Sequence, residues 1–224
     1  MSTKAVIFDL DDTLVSEISY CMSGYRAVSL YVSEHILPGS DQEAIYSELI
    51  RLFDEDHKNV FNRFLLNNAC DEELVPDLVD TYRKHFPNIC YYEDVKPALK
   101  VLEEKGIKTG ILSDGYAVTQ RQKINALKAE EDFDIVILTD EIGRDAWKPS
   151  PAGFEIIEER FGLASDELLY VGDNPEKDFY LSVTAGIKTA RIIRGNGVYA
   201  DRDYHLGVKE DFRIGSLNEL SSIL

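Results

Sequence analysis

The 224-residue chain has few cysteines, an excess of acidic over basic residues, and no long apolar run. Its three cysteines, Cys21, Cys70 and Cys90, are an odd number without paired spacing, which argues against a disulfide framework and a zinc site. The 24 basic residues face 41 acidic ones, and the formal net charge of −17 disfavours binding to nucleic acid or to an anionic membrane. No apolar run has the length of a membrane-spanning helix.

Several other signals are missing. The chain has neither Gly-x-Gly-x-x-Gly nor a phosphate-binding loop with Gly-Lys-Ser/Thr, and its four histidines lack metal-ligand spacing. No signal-peptide segment precedes the first strand signal, and the cysteine usage favours a reducing compartment. We therefore expect a cytoplasmic protein with no nucleic-acid and no membrane partner. Both a monomer and a homodimer are compatible with these features.

The most informative segment is an acidic turn directly after a short apolar run. Residues Ala5 to Phe8 are all apolar and predict a buried strand, which is followed by Asp9, Asp11 and Thr13. Open α/β sheets bind ligands beyond the carboxyl ends of their strands. Crowded carboxylates repel each other and raise each other's pKa unless a cation joins them. The turn therefore indicates a site for a metal, a charged substrate, or both.

Two further segments could bind phosphate. The strand signal Lys108–Ser113 ends in a hydroxyl, and the backbone N–H groups around Asp114 follow it; this pattern suits a phosphate oxygen, but also a simple turn or a helix cap. Lys148 precedes a proline in a loop. Its ammonium group could neutralise an aspartate and a phosphoryl group, although most lysines before a proline are surface residues.

The last acidic segment follows the strand signal Leu168–Gly172. Asp173 lies at the end of that strand, and Asp178 lies just inside the next predicted helix, where a turn with a helix cap would give the same pattern. Three of these four segments lie at the carboxyl ends of predicted parallel strands. Their polar residues are therefore expected to meet at one edge of one sheet: Asp9, Asp11, Ser113, Lys148 and Asp173.

Taken in order, the four segments resemble the four motifs of the haloacid dehalogenase (HAD) superfamily, most of whose members are phosphatases. The first motif, Asp-x-Asp-x-Thr, is matched by Asp9, Asp11 and Thr13, the second by Ser113, the third by Lys148, and the fourth by Asp173 with Asp178. The resemblance covers the whole chain, and no position of the catalytic pattern is missing.

The resemblance implies a Mg²⁺-dependent phosphatase that hydrolyses a small phosphorylated metabolite through an aspartyl-phosphate intermediate. Asp9 would be the nucleophile, and Asp11 would be the general acid and then the base that activates water. Mg²⁺ would be bound by the Asp9 carboxylate, the Asp11 backbone carbonyl and Asp173. Asp178 would hold either a metal-bound water or Lys148.

The resemblance also implies which groups bind the phosphoryl oxygens: Thr13, Ser113, the backbone around Asp114, and Lys148. A phosphosugar mutase of the same superfamily would use the same residues and stays open as an alternative. A non-catalytic phosphometabolite-binding protein is less favoured, because it would be expected to have lost one of the matched aspartates. A dehalogenase is disfavoured because that branch generally lacks the second aspartate of the first motif.

The pattern of strand and helix signals predicts an α/β fold. Helical periods alternate with strand signals, as a parallel doubly wound sheet requires, notably near 94–105, 116–128, 151–161 and 175–185. The strand signals are Ala5–Leu10, Lys108–Ser113, Ile135–Thr139, Leu168–Gly172, Thr189–Ile193 and, more weakly, Phe212–Ile214.

One long segment interrupts this alternation. Residues 15–92 contain helical periods but no β-branched apolar run. We therefore predict a Rossmann-like parallel sheet core formed by residues 1–14 and 93–224, with residues 15–92 as an inserted all-helical cap domain. The HAD resemblance implies that such a cap closes over the site, excludes water and contacts the leaving group, with hinges near 14–17 and 89–93. A helical lobe packed on the sheet is the alternative.

Overall fold

The computed structural model describes residues 3–195, 197–199 and 202–224, and it divides into two compact units. The first unit comprises Met1–Glu17 and Cys90–Leu224, and the second comprises Ile18–Ile89. All three cysteines are free thiols. Among the helices formed by the described residues, none combines the length and the apolar character that crossing a membrane requires.

A single parallel sheet forms the centre of the first unit. In the described part of the chain it has six strands in the order β3-β2-β1-β4-β5-β6, which confirms the predicted Rossmann-like architecture. β1 and β4 are buried along their whole length, which explains why their sequences are uninterrupted apolar runs. The strands are β1 (Ala5–Phe8), β2 (Lys108–Ser113), β3 (Ile135–Leu138), β4 (Leu168–Gly172), β5 (Lys188–Ile192) and β6 (Phe212–Ile214).

All secondary-structure elements of the second unit are helices or helical turns. Its core is a set of apolar side chains contributed by every helix, among them Val28, Leu49, Phe64 and Leu78. The side chain of Asp41 accepts a hydrogen bond from the Glu43 N–H and so begins the second helix. The elements are α1 (Glu17–Tyr31), a π-helical turn (Val32–Ile36), α2 (Gln42–Glu55), α3 (Val60–Asn67), a 3₁₀ turn (Glu72–Leu74) and α4 (Val75–Lys84).

The remaining helices belong to the first unit and connect its strands. They are α5 (Val95–Glu104), α6 (Ala117–Leu127), α7 (Ala129–Asp132), α8 (Thr139–Ile142), α9 (Ala152–Phe161) and α10 (Leu181–Thr184), with a final 3₁₀ segment at Leu217–Ser222. The helix predicted near 175–185 is wrong in extent. Side chains there bind the backbone and form a turn instead: Asp178 accepts from the Asn174 N–H, and Asn174 accepts from the Glu176 N–H.

The chain segments on either side of the helical unit pair with each other inside the first unit. Val15 forms a β-bridge with Tyr91, and the Tyr92 N–H donates to the Leu14 carbonyl at 2.9 Å. Asp12 stabilises the turn before α1: its φ is +50°, and its carboxylate accepts from the Glu17 N–H at 2.9 Å. The turn of the first motif is therefore held by the Asp12 carboxylate at the start of α1 and by backbone contacts with residues 91 and 92.

A second set of hydrogen bonds joins this turn to the segments that follow β5 and β6. Arg194, just after β5, donates to the Thr13 carbonyl at 2.7 Å and to Asp94 at 2.8 Å. The same oxygen of Asp94 accepts from the Ser216 hydroxyl and from the Leu217 N–H. Burial alone would raise the pKa of Asp94, but the hydrogen bonds from Arg194 and Leu217 lower it below its usual value. The charged form of Asp94 is thus the form that the folded protein stabilises.

We expect Asp94→Asn to lower the free energy of unfolding by about 1–3 kcal/mol, because an almost buried Arg194 loses its charged partner. A lowered folded-state pKa contributes stability that is fully present above the unfolded pKa of about 4 and is lost as the pH falls through the folded value. The difference in free energy of unfolding between wild type and the variant should therefore be constant from about pH 6 to 8 and become smaller only in acid.

Urea unfolding at a series of pH values measures this difference. Glu130→Gln is the control, because it removes an exposed ion pair with Arg121 and should change stability by less than about 0.5 kcal/mol. If Asp94→Asn were as stable as wild type at pH 7, the Asp94–Arg194 pair would contribute nothing to the free energy of unfolding.

Candidate active site

The polar residues of the first, second and fourth motifs lie at one edge of the sheet. β1 is hydrogen-bonded to β2 on one side and to β4 on the other, all three parallel, so their carboxyl ends lie side by side. Asp9 follows β1, Ser113 ends β2, and Asp173 follows β4, and all three are buried. The Asp9 N–H donates to the Val171 carbonyl at 2.8 Å, which fixes the first turn to the end of β4.

Lys148 is the central cation of this edge. It lies between β3 and β4, and its side chain is completely buried. Its ammonium group lies 2.8 Å from Asp9 Oδ1 and 2.9 Å from Asp178 Oδ1, and it donates to the Tyr170 hydroxyl. An ammonium group without access to water requires such partners, because burial of an unpaired charge costs several kcal/mol. Lys148 is therefore a component of the site and not a surface residue.

Negative charge nevertheless predominates in the cluster. Burial, reinforced by Asp178, raises the pKa of the Asp9 carboxyl to about 6 against the opposing effect of Lys148. Burial, together with Asp178 and Asp9, raises the pKa of Asp173 well above its usual value. Burial alone would lower the pKa of Lys148, but Asp178 and Asp9 raise it well above the usual value. The carboxylates thus need more positive charge than the surrounding side chains supply.

The residues present fit a divalent cation. Asp9, Asp173 and Asp178 each have a ligand atom within 4.8 Å of the others, the one such acidic group found in the described part of the chain. The Oδ2 atom of Asp173 is buried and has no hydrogen-bond partner in the part of the chain that the structure describes. Both oxygens of Asp178, in contrast, have partners, because Oδ1 lies against Lys148 and Oδ2 accepts from the Asn174 N–H. Asp173, unlike Asp178, therefore has an oxygen available for a metal.

Asp114 anchors two lysines next to Ser113. One oxygen of its buried carboxylate accepts from the Thr139 hydroxyl at 2.8 Å and from the Lys148 backbone N–H at 3.1 Å. The other oxygen lies 3.0 Å from the Lys177 ammonium. Burial alone would raise the pKa of Asp114, but Lys148 and Lys177 lower it below its usual value. The side chain of Asp114 thus fixes the third-motif loop, and both of its oxygens have partners.

Thr13 and Asp11 complete the set of predicted residues. The hydroxyl of Thr13 is buried and has no hydrogen-bond partner among the described residues. Asp11 is separate from the Lys148 cluster. Both oxygens of its carboxylate bind Lys123, at 2.6 and 2.7 Å, and one also accepts from Gln120 at 2.8 Å. The two aspartates of the first motif are therefore paired with different lysines.

Sequence reasoning missed four side chains at this edge. Gln120 and Lys123 lie on the buried face of α6 with Ile124 and Leu127, so two polar residues at apolar helix positions were a signal that could have revealed them. Lys177 lies within the fourth motif itself, next to Asp178. Tyr170, which contacts Lys148, carries no such signal because aromatic residues are common in buried strands.

The chain is similar to proteins of one hydrolase family. The model of the haloacid dehalogenase-like hydrolase family matches residues 6–192. A glyceraldehyde 3-phosphate phosphatase of Methanopyrus kandleri is 33% identical over 199 residues, covering 86% of this chain and 84% of the relative. The pyrophosphatase PpaX of Halalkalibacterium halodurans is 28% identical over 234 residues, covering 100% and 98%. A HAD phosphatase structure from Thermococcus onnurineus superposes with a TM-score of 0.63 at 27% identity, covering 99% and 97%.

The chain belongs to the haloacid dehalogenase-like hydrolase family, because the family model spans most of its length. Like these relatives it is a phosphatase, a hydrolase that acts on phosphate esters. The named relatives do not favour the phosphosugar mutase that the sequence left open.

The last residue of β4 must be glycine for the cluster to form. A Cβ atom on Gly172 would lie 2.4 Å from Asp178 Oδ2 and 2.8 Å from its Cγ atom. We expect Gly172→Ala to displace Asp178, and with it Lys148, and to lower kcat/KM for a phosphate ester by about 10–100-fold.

Steady-state kinetics measures this loss, and circular dichroism checks that the variant folds. Gly195→Ala is the matched control, because no atom of residues 3–195, 197–199 and 202–224 lies within 4 Å of the added Cβ, and it should keep its activity. If Gly172→Ala were as active as wild type, the position of Asp178 would not matter for turnover.

Proposed function

We propose that the protein hydrolyses a small phosphate monoester through an aspartyl-phosphate on Asp9, with Mg²⁺ bound beside it. The observation that carries this proposal is the buried cluster in which Lys148 contacts Asp9 while Asp173 keeps an oxygen without a partner. Such a cluster has a nucleophile, a cation for the phosphoryl group and a candidate metal ligand next to one another.

In the first half of the reaction an Asp9 carboxylate oxygen attacks phosphorus. The bond from phosphorus to the leaving oxygen breaks, and Asp11 donates a proton to that oxygen so that an alcohol leaves. In the second half Asp11 accepts a proton from water, the water oxygen bonds to phosphorus, and the bond to Asp9 breaks. Inorganic phosphate leaves and both aspartates return to their starting state.

The chain's own groups would bind the transferring phosphoryl group. The ammonium of Lys148 offsets the repulsion between the phosphate dianion and Asp9. Thr13 has a buried hydroxyl without a partner, and Ser113 and the backbone around Asp114 lie at the end of the neighbouring strand. These donors suit the three equatorial oxygens of the phosphoryl group.

Mg²⁺ would be held by the Asp9 carboxylate, the Asp173 carboxylate and the Asp11 backbone carbonyl. Oxygen ligands of this kind favour Mg²⁺ over softer ions. When bound, the ion neutralises charge on the phosphoryl oxygens and on the carboxylates around it. Asp178 then acts through Lys148, which it holds at 2.9 Å.

The substrate is proposed to be a small phosphorylated metabolite. The relatives named above act on glyceraldehyde 3-phosphate and on pyrophosphate, so both compounds belong in a substrate panel with sugar phosphates and nucleoside monophosphates. We also propose that the helical unit Ile18–Ile89 acts as a cap, because it is inserted directly after the first motif.

Phosphate release across this panel, with and without Mg²⁺, tests the proposal. Wild-type protein should release phosphate from at least one monoester, lose the activity in excess EDTA, and regain it when Mg²⁺ is added. Asp9→Asn should lower turnover by at least about 10³-fold, because no nucleophile replaces the carboxylate.

Asp166→Asn is the matched control, because Asp166 is exposed and its change removes the same charge outside the site. Sustained turnover by Asp9→Asn would exclude the aspartyl-phosphate route. Full activity in EDTA would exclude the metal while leaving the role of Asp9 intact.

Lys148→Ala should lower kcat/KM by about 10²–10³-fold, the scale seen when one preorganised stabilising donor is removed. Lys148→Arg should have a kcat/KM little higher than that of Lys148→Ala, because a wide planar guanidinium does not fit where a compact ammonium contacts Asp9 and Asp178. Steady-state kinetics on both variants, after circular dichroism confirms that they fold, measures the effect. An alanine variant within about threefold of wild type would contradict the role of Lys148 in stabilising the transition state.

A further inference from the structure

The carboxylate of Asp11 is held from one side by helix α6. Lys123 Nζ lies 2.6 Å from one oxygen and 2.7 Å from the other, and Gln120 Nε2 lies 2.8 Å from the second. None of the steps proposed above uses Lys123 or Gln120. Both nevertheless contact the carboxylate of Asp11, the group to which the proposed reaction assigns proton transfer.

Lys123 occupies a position where stability alone would favour an apolar residue. Its side chain is 3% exposed, and it shares the buried face of α6 with Ile124 and Leu127. Taking an ammonium group out of water costs several kcal/mol, and apolar replacements of buried ion pairs are often neutral or stabilising. The Lys123–Asp11 pair is therefore better explained by what it does to Asp11 than by what it adds to the fold.

Gln120 links Asp11 to the second motif. Its Nε2 atom donates to Asp11 Oδ2, lies 3.1 Å from the Ser113 hydroxyl, and lies 2.6 Å from the Asp114 carbonyl. Space for this amide depends on Gly115, where φ is +125° and an added Cβ would lie 2.9 Å from Nε2. One buried amide thus spans the proton-transfer residue and the turn proposed to bind phosphate.

We propose that Lys123 and Gln120 are positioning residues that fix the direction of the Asp11 carboxylate, so that it meets the leaving oxygen and then the attacking water. This inference rests on the proposed function, because it takes Asp11 as the acid and base of that reaction. Neither residue needs to touch the substrate. Lys123 acts through Asp11, since its ammonium group already lies against both carboxylate oxygens.

A double-mutant cycle separates this role from a structural one. Lys123→Met should lower kcat for an alkyl phosphate such as glycerol 3-phosphate by about 10²-fold, with little change in KM, because a displaced proton donor costs about that much. For 4-nitrophenyl phosphate the rate of nitrophenolate release in the first turnover should fall far less, because that leaving group needs no proton. In an Asp11→Asn background Lys123→Met should change kcat by less than about threefold, since the group it positions is gone.

Two variants complete the kinetic design. Arg121→Met, on the same helix but in an exposed ion pair, should match wild type. If Lys123→Met does not fold, Gln120→Met takes its place in the cycle, with a loss in the same direction. Equal losses in the Asp11 and Asp11→Asn backgrounds, equal losses for both substrates, or an unchanged or increased kcat would each overturn the proposal.

A crystal structure of Lys123→Met provides a readout that does not depend on turnover. The Asp11 carboxylate should rotate away from α6 in at least part of the molecules. An unchanged Asp11 rotamer would overturn the positioning role even if the protein is an active phosphatase. Absence of phosphatase activity in the wild type would instead refute the proposed function, and the rotamer would still show whether Lys123 directs Asp11.

Discussion

The site depends on one buried ammonium group. Lys148 lies between Asp9 and Asp178 without access to water, and its backbone N–H is held by Asp114. Remove this cation, and the carboxylates at the edge of the sheet face each other across a desolvated space, where like charges repel far more strongly than in water. Through Lys148, the loop between β3 and β4 contacts both the first-motif turn, at Asp9, and the turn after β4, at Asp178.

The order of the strands makes this contact set possible. β1 is central, and its neighbours β2 and β4 are far from it in the chain, so residues near positions 9, 113 and 173 become adjacent only in the sheet. Gly172 then admits the Asp178 carboxylate next to the end of β4, where any side chain would displace it. A parallel sheet thus brings distant carboxylates together, and a missing Cβ decides how closely they approach.

The two aspartates of the first motif are in different electrostatic settings although only one residue, Leu10, lies between them. Asp9 faces Lys148 from the loop after β3, whereas Asp11 faces Lys123 and Gln120 from α6. The proposed reaction assigns the two aspartates different tasks, because one acts as the nucleophile and the other exchanges a proton. Side chains from two different elements thus contact the two aspartates to which the proposed reaction gives different roles.

The sequence alone was sufficient for the architecture and for the family. Short apolar stretches ending in Asp or Ser predicted the strands, because a strand buried on both faces tolerates few polar residues. The acidic turns predicted which edge of the sheet binds a ligand. Only the tertiary structure decided the partners. The pairing of Lys123 with Asp11, of Lys177 with Asp114, and of Tyr170 with Lys148 joins residues far apart in the chain, and no local pattern encodes such contacts. The helix predicted near 175–185 failed for a different, local reason, since the side chains of Asn174 and Asp178 bind the nearby backbone and replace the first helical turns.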